Sequence, residues 1–142
     1  MDISKINIVK AATDGIDVDI INPATNESLG LKIRVIGAMS ANCKDDMFLS
    51  LAEVEDYKES NKLADNASKK EKAAAQIKAD KFDSEVTAKF LAKYTIGWQE
   101  MEENGKPVPF STAEAERIYL EYPIIRGQVQ RAMMDISNFI KA

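Results

Sequence analysis

A change of hydrophobic period near Gly37 constrains this chain more than any other feature. Before it, Ile16, Val18 and Ile20 alternate with Asp17 and Asp19, and Leu29, Leu31, Ile33 and Val35 alternate with Gly30, Lys32 and Arg34. Period two with β-branched residues reads as strands with one wet face and one buried face. Asn22-Pro23-Ala24-Thr25-Asn26-Glu27 lies between them and supplies turn chemistry. One antiparallel register sets Asp17 against Arg34, Asp19 against Lys32, Val18 against Ile33 and Ile20 against Leu31. It joins opposite charges on the outside and branched apolar residues on the inside. A two-stranded ribbon is marginal alone, so it must lean on helices or pair with another chain. Upstream, Ile3, Ile6 and Val9 recur at a helical spacing and predict one short helix that Asp14-Gly15 ends.

After Gly37 the period becomes helical. Asp45 or Asp46 is suited to cap a first helix, whose stripe runs through Met47, Leu51, Val54 and Tyr57 or Lys58. From Ser60 to Ala79 the chain is polar and alanine-rich, so either one long helix runs through or two meet near Asn66. Few apolar side chains anchor this stretch, which is expected to be the least packed part. A helix from Phe82-Asp83 to Asn104-Gly105 is expected to carry Val86, Phe90, Leu91, Tyr94, Trp98 and Met101 on one face, with Gly97 at a cost of about 1 kcal/mol. Lys106-Pro107-Val108-Pro109-Phe110 must be extended. Ser111 and Glu114 form a capping box for a short helix carrying Ile118, Tyr119 and Tyr122. Pro123 ends it and opens the last helix, with Ile125, Val129, Ala132, Met133, Ile136, Phe139 and Ile140 on one face. Trp98, Phe90, Val129, Ile136 and Phe139 are the expected core. The predicted fold class is α+β, predominantly α-helical: a single domain over 1–142, with an N-terminal antiparallel β-hairpin in 1–37 and three to five helices in 38–142.

Composition removes most chemistries. The 142 residues contain no histidine and one cysteine, Cys43. The commonest general base and metal ligand is therefore absent, and neither an intrachain disulfide nor a paired-cysteine zinc site can form. The net charge of −4 argues against a phosphate-backbone partner, which draws on excess lysine and arginine. Asp14, Asp17 and Asp19 lack calcium-loop spacing and read as the wet face of a strand. The acids Asp45, Asp46, Glu53, Glu55, Asp56 and Glu59 read as helix capping and a solvated face. The lysines Lys69, Lys70, Lys72, Lys78 and Lys81 are broken by Glu71 and Asp80 and have no aromatic residues among them for base stacking. Trp98, Tyr94, Tyr119 and Tyr122 read as core. No glycine loop for phosphate, no cofactor pattern, no secretory signal and no membrane-spanning apolar run is present. No enzyme activity is expected.

Several short pieces, taken in order, resemble small tail-assembly chaperone-like proteins of long-tailed bacteriophages. They are Gly97-Trp98, then Asn104 to Ser111, then Tyr122-Pro123-Ile124-Ile125-Arg126-Gly127-Gln128-Val129, then Asn138-Phe139. In the N-terminal half, Asn22-Pro23-Ala24-Thr25-Asn26 with Leu29 and Ile33 to Gly37 is similar to the strand–turn–strand start of the same proteins. The chain departs from them at Gly37-Ala38-Met39-Ser40, and Ser60 to Ala79 matches nothing in particular. The resemblance implies a non-catalytic protein of the host bacterial cytoplasm. Such a protein binds the long helical tape-measure protein and helps recruit tail-tube subunits. The alternative is a minor structural protein of the phage tail or neck, retained in the virion and joined to a neighbour by strand addition.

For a helical partner, the apolar face of the last helix is the expected docking surface, with Met133, Ile136 and Ile140 as anchors. Methionine adapts to varied partners, and a helix in a groove is read at i, i+3, i+4 and i+7. Burial of that face as core, or self-association through it, are the competing expectations.

Overall fold

The computed structural model describes residues 1–140. A 3₁₀ turn (Ile3–Ile6) and helix α1 (Ile8–Asp14) lead into β1 (Ile16–Ile21) and β2 (Ser28–Val35). Two long helices follow, α2 (Ala41–Ser60) and α3 (Lys69–Lys93), then β3 (Thr95–Gln99). A two-residue-per-strand hairpin, β4 (Glu102–Glu103) and β5 (Lys106–Pro107), precedes α4 (Thr112–Glu121), α5 (Pro123–Met134) and a final 3₁₀ turn (Ile136–Phe139). The α+β class and helical majority are as expected, but the arrangement is not a hairpin followed by helices. The short helix before the hairpin ends at Asp14-Gly15 as expected, but a third strand returns from the helical half to complete the sheet.

The main sheet is antiparallel in the order β1-β2-β3. Asp17 faces Arg34, Val18 faces Ile33 and Asp19 faces Lys32, in the register that charge and branching require. Arg34 reaches Asp17 at 3.3 Å and the carbonyl of Asp14 at 3.0 Å. The expected Ile20–Leu31 pair does not form, because the register shifts and Ile21 pairs with Ser28. Gly30, at φ +76°, takes a backbone conformation that a side chain would resist. It lets β2 carry the extra residues of the bulge, while Ser28 Oγ donates to Asp19 at 2.6 Å.

β3 overturns the expected helix through Asn104. α3 stops at Lys93, and Thr95 and Trp98 pair with Val35 and Ile33. Thr95 and Ile96 are β-branched and Gly97 weakens a helix, while β2 offers an unpaired edge. Pairing there outweighs the apolar periodicity that continues to Met101. Thr95 Oγ1 is buried, bonding to the Leu91 carbonyl at 2.8 Å and the Tyr119 hydroxyl at 2.6 Å. Trp98 Nε1 donates to the Val108 carbonyl at 2.7 Å, and Phe110 meets its ring edge-on at 4.9 Å. Asn104 and Gly105, both at positive φ (52° and 77°), form the β4–β5 turn rather than a helix C-cap.

The core lies between the sheet and α3, α4 and α5. Val18, Ile20, Ile33 and Val35 meet Ala88, Leu91, Ala115, Ile118, Tyr119, Val129 and Met133 there. Phe90 and Trp98 are half-buried against this core, and Val129 and Phe139 are buried. Ile136 is not core: it is 45% exposed. The reason is that α5 ends at Met134. The Asp135 carboxylate accepts from Ser137 N at 3.0 Å and Ser137 Oγ at 2.7 Å, starting a 3₁₀ turn that breaks the expected continuous face. The turn drives Phe139 against Gly37, where a Cβ would lie 2.4 Å from the ring. Gly37 N donates to the Ala12 carbonyl at 2.9 Å, so α1, the end of β2 and the C-terminal turn meet at one point.

α2 and α3 pack as a helical hairpin whose outer part carries little apolar contact. The two helices are separated at 61–68, one of the two expected arrangements. Tyr57 stacks on Phe82 with centroids 4.2 Å apart. Beyond that clasp, Ala73, Ala74 and Gln76 are exposed and Ile77 is 69% exposed. Two measurements check this reading. Phe139→Ala should lower stability by about 3–5 kcal/mol and Gly37→Ala by about 1–3 kcal/mol, whereas Ile136→Ala should shift the thermal midpoint little. Amides of residues 61–80 should exchange with deuterium faster than those of 112–134.

Candidate docking groove

α2, α3 and α5 converge on a groove with a cavity of about 110 Å³. Met47, Leu51 and Val54 come from α2, Val86, Phe90 and Leu91 from α3, and Met133 and Met134 from α5. Ser50, Asp83, Thr87 and Gln130 supply its polar margin. At its mouth Leu51 is 57% and Met134 50% exposed. Exposed apolar side chains around a cavity make this groove the candidate interaction site.

The helix spacing that opens this groove is fixed at both ends. Neither Asp45 nor Asp46 caps α2; Ser40 holds the N-cap position. Asp46 instead joins the two helices, accepting from Lys93 Nζ at 2.6 Å and from the Tyr94 hydroxyl. These bonds, Lys93 first and then Tyr94, hold the Asp46 carboxyl below its ordinary value. Burial and Asp46 raise the Tyr94 hydroxyl. Cys43, one turn before Asp46, is fully buried, and burial pushes its thiol up to about 11. It is a protonated packing group at neutral pH. The other end of the groove is set by the Tyr57–Phe82 stack.

The three residues expected to anchor a partner are not brought together. Met133 is 2% exposed and forms the groove floor, its carbonyl accepting from Ala38 N at 3.0 Å. Ile136 and Ile140 are 45% and 46% exposed but lie past the break at Asp135, away from the groove. Sequence reasoning missed Leu51 as a surface residue, Phe90 as a groove wall, and Met134. The signal was the run Met47-Phe48-Leu49-Ser50-Leu51, which wraps more apolar surface around α2 than one face can bury.

The remaining candidates stay apart. Asp17 and Asp19 lie exposed on β1, and the α3 lysines Lys69, Lys70, Lys72, Lys78 and Lys81 are exposed. Among the described residues no group of three or more potential metal ligands forms, and no helix is long and apolar enough to cross a membrane. Arg117 is held by Glu103, Glu114 and Glu121 at 2.8–3.0 Å, a surface clasp between α4 and β4. The β2 edge of the hairpin, one of its two, is taken by β3. On the outer strand, Gln128 bonds both the N–H and the carbonyl of Ile21, at 2.8 and 2.7 Å. No protein-family model, curated protein or solved structure matches the chain.

The Asp46 contact gives a pH prediction. Its folded-state pKa lies below the ordinary 3.8, so its stabilisation is fully present above 3.8 and is lost as pH falls from there through the folded-state pKa. Asp46→Asn should therefore lower the thermal midpoint at neutral pH, and the difference between the two proteins should shrink once the pH is acid enough to protonate the Asp46 carboxyl of the folded protein.

Proposed function

We propose that this chain is a non-catalytic assembly protein that holds an amphipathic helix in the α2–α3–α5 groove. The observation that carries the reading is the groove itself: an apolar cavity bordered by exposed Leu51 and Met134. Half-exposed Met134, above the buried Met133 floor, suits a partner whose side chains vary along its length. A helix laid there presents residues at i, i+3, i+4 and i+7 to the cavity.

The resemblance of the Trp98, Asn104–Ser111 and Tyr122–Val129 segments to tail-assembly chaperones of long-tailed bacteriophages supports a specific partner. That partner is the tape-measure protein, a long helical chain that would otherwise expose apolar stripes in the host bacterial cytoplasm. Holding it would keep it soluble while tail-tube subunits are recruited. This places the binding surface on Leu51 and Met134 rather than on Ile136 and Ile140.

Co-expression with the tape-measure protein followed by pull-down tests the proposal. Wild type and Ile140→Asp should both retrieve the partner. Leu51→Asp and Met134→Asp should lose it, at unchanged helix content, because both side chains are half exposed. Failure of the wild type to retrieve tape-measure or tube protein in mild salt would refute the reading. Equal retrieval by all the variants would move the binding surface elsewhere.

A further inference from the structure

α2 carries a second surface, distinct from the groove. Lys44, Phe48, Leu51 and Glu55 follow one another at spacings of four, three and four residues, the stripe of a coiled-coil seam. All four are exposed, Phe48 and Leu51 at 56% and 57%. The stripe lies roughly a quarter turn around α2 from Met47, Ser50 and Val54, which face the groove and core. Only Leu51 belongs to both. Glu55 lies 3.9 Å from Lys58, with its side chain 73% exposed, so that contact is loose.

The order of the stripe is basic, apolar, apolar, acidic. Laid antiparallel on itself, with a two-fold axis between Leu49 and Ser50, each residue meets one of complementary character. Phe48 meets the second copy's Leu51, and Lys44 meets its Glu55. The same two contacts recur on the other side of the axis, as an isologous interface requires. A parallel pairing in register would set lysine on lysine and glutamate on glutamate. The charges therefore select both the partner and its direction.

We propose that two copies of this chain associate about a two-fold axis through antiparallel α2 helices. Phe48 and Leu51 form the apolar centre, and the Lys44–Glu55 pairs close its two ends. The contact shares Leu51 with the rim of the groove, so self-association and helix docking compete for that side chain, while the dimer rests on the order of the stripe and not on the tape-measure reading.

Sedimentation velocity on the full chain alone, with no partner present, tests it. Wild type should sediment as a concentration-dependent dimer. Phe48→Ala should weaken association about a hundredfold, as loss of a central aromatic anchor does. Lys44→Glu and Glu55→Lys should each weaken it roughly tenfold, because each sets like charges face to face at both ends. The double variant Lys44→Glu/Glu55→Lys should regain wild-type association. An equimolar mixture of the two single variants should form a heterodimer tighter than either variant with itself. Circular dichroism of every variant should match the wild type, since all of these side chains are exposed. A wild type that remains monomeric at a few hundred micromolar would overturn the proposal. So would a double variant no tighter than its single parents, or a mixture that forms no heterodimer.

Discussion

The pairing of β2 on both edges is the constraint on which the rest of the structure depends. β2 takes β1 on one side by a local hairpin and β3 on the other after the whole α2–α3 excursion. Val35 pairing with Thr95, and Ile36 N donating to the Tyr94 carbonyl at 2.9 Å, fix where α3 must end. α2 and α3 must then run out and back as an antiparallel pair. The sheet face that carries Val18, Ile20, Ile33, Val35 and Thr95 is left to be covered by α3, α4 and α5. The opposite face keeps Asp17, Asp19, Lys32, Arg34 and Gln99 in water. This is a two-layer α/sheet packing with one buried interface.

What was legible in the sequence was local. The Asp17–Arg34 to Asp19–Lys32 register follows from side-chain alternation, and the Ser111–Glu114 cap and the Pro123 helix start follow from chemistry within four residues. Glu114 N indeed donates to Ser111 Oγ at 3.0 Å. What was not legible depended on partners far away in the chain. Tyr94, Trp98 and Met101 are spaced for a helix face, and only the free edge of β2, sixty residues earlier, makes a strand of Thr95–Gln99. The bulge at Gly30 hid the register beyond Asp19. Asp135 reads as an ordinary surface residue of a helix until Ser137 is seen bonded to its carboxylate. That bond turns the last apolar residues inward at Phe139 and outward at Ile136 and Ile140, and it is why the candidate anchors dispersed.

Partial cover of the sheet edges favours a binding surface on helices over one on strands. An open strand edge is a template for uncontrolled pairing. Here β3 occupies one side of β2, and the amide of Gln128 imitates a strand residue by meeting both polar groups of Ile21. The long polar sequence 60–80 is likewise kept from sticking, because its exposed helix faces are mostly lysine, alanine and acid. Exposed apolar side chains on helices include Phe48, Leu49 and Leu51 of α2 and Met134 at the end of α5, alongside Val9 of α1 and Ile124 at the start of α5.

The groove follows from how packing density falls along the α2–α3 pair. Near the sheet, Cys43, Leu91 and Ala92 are fully or almost fully buried; at the outer turns, alanine and glutamine face water. Two clasps bracket the stretch between, Asp46 with Lys93 and Tyr94 at one end and Tyr57 on Phe82 at the other. They are separated on α3 by twelve residues, about 18 Å of helix. Between them, Met47, Ser50 and Val54 must pack opposite Phe90, Val86 and Thr87, with Met133 beneath. The clasps hold the two backbones at a distance set by an aromatic stack. Serine, valine and threonine are too small to fill that distance, so a cavity remains whose walls are rigid at both ends. A side chain supplied from outside could gain dispersion contacts there that the fold itself leaves unmade, without the cost of first opening the site.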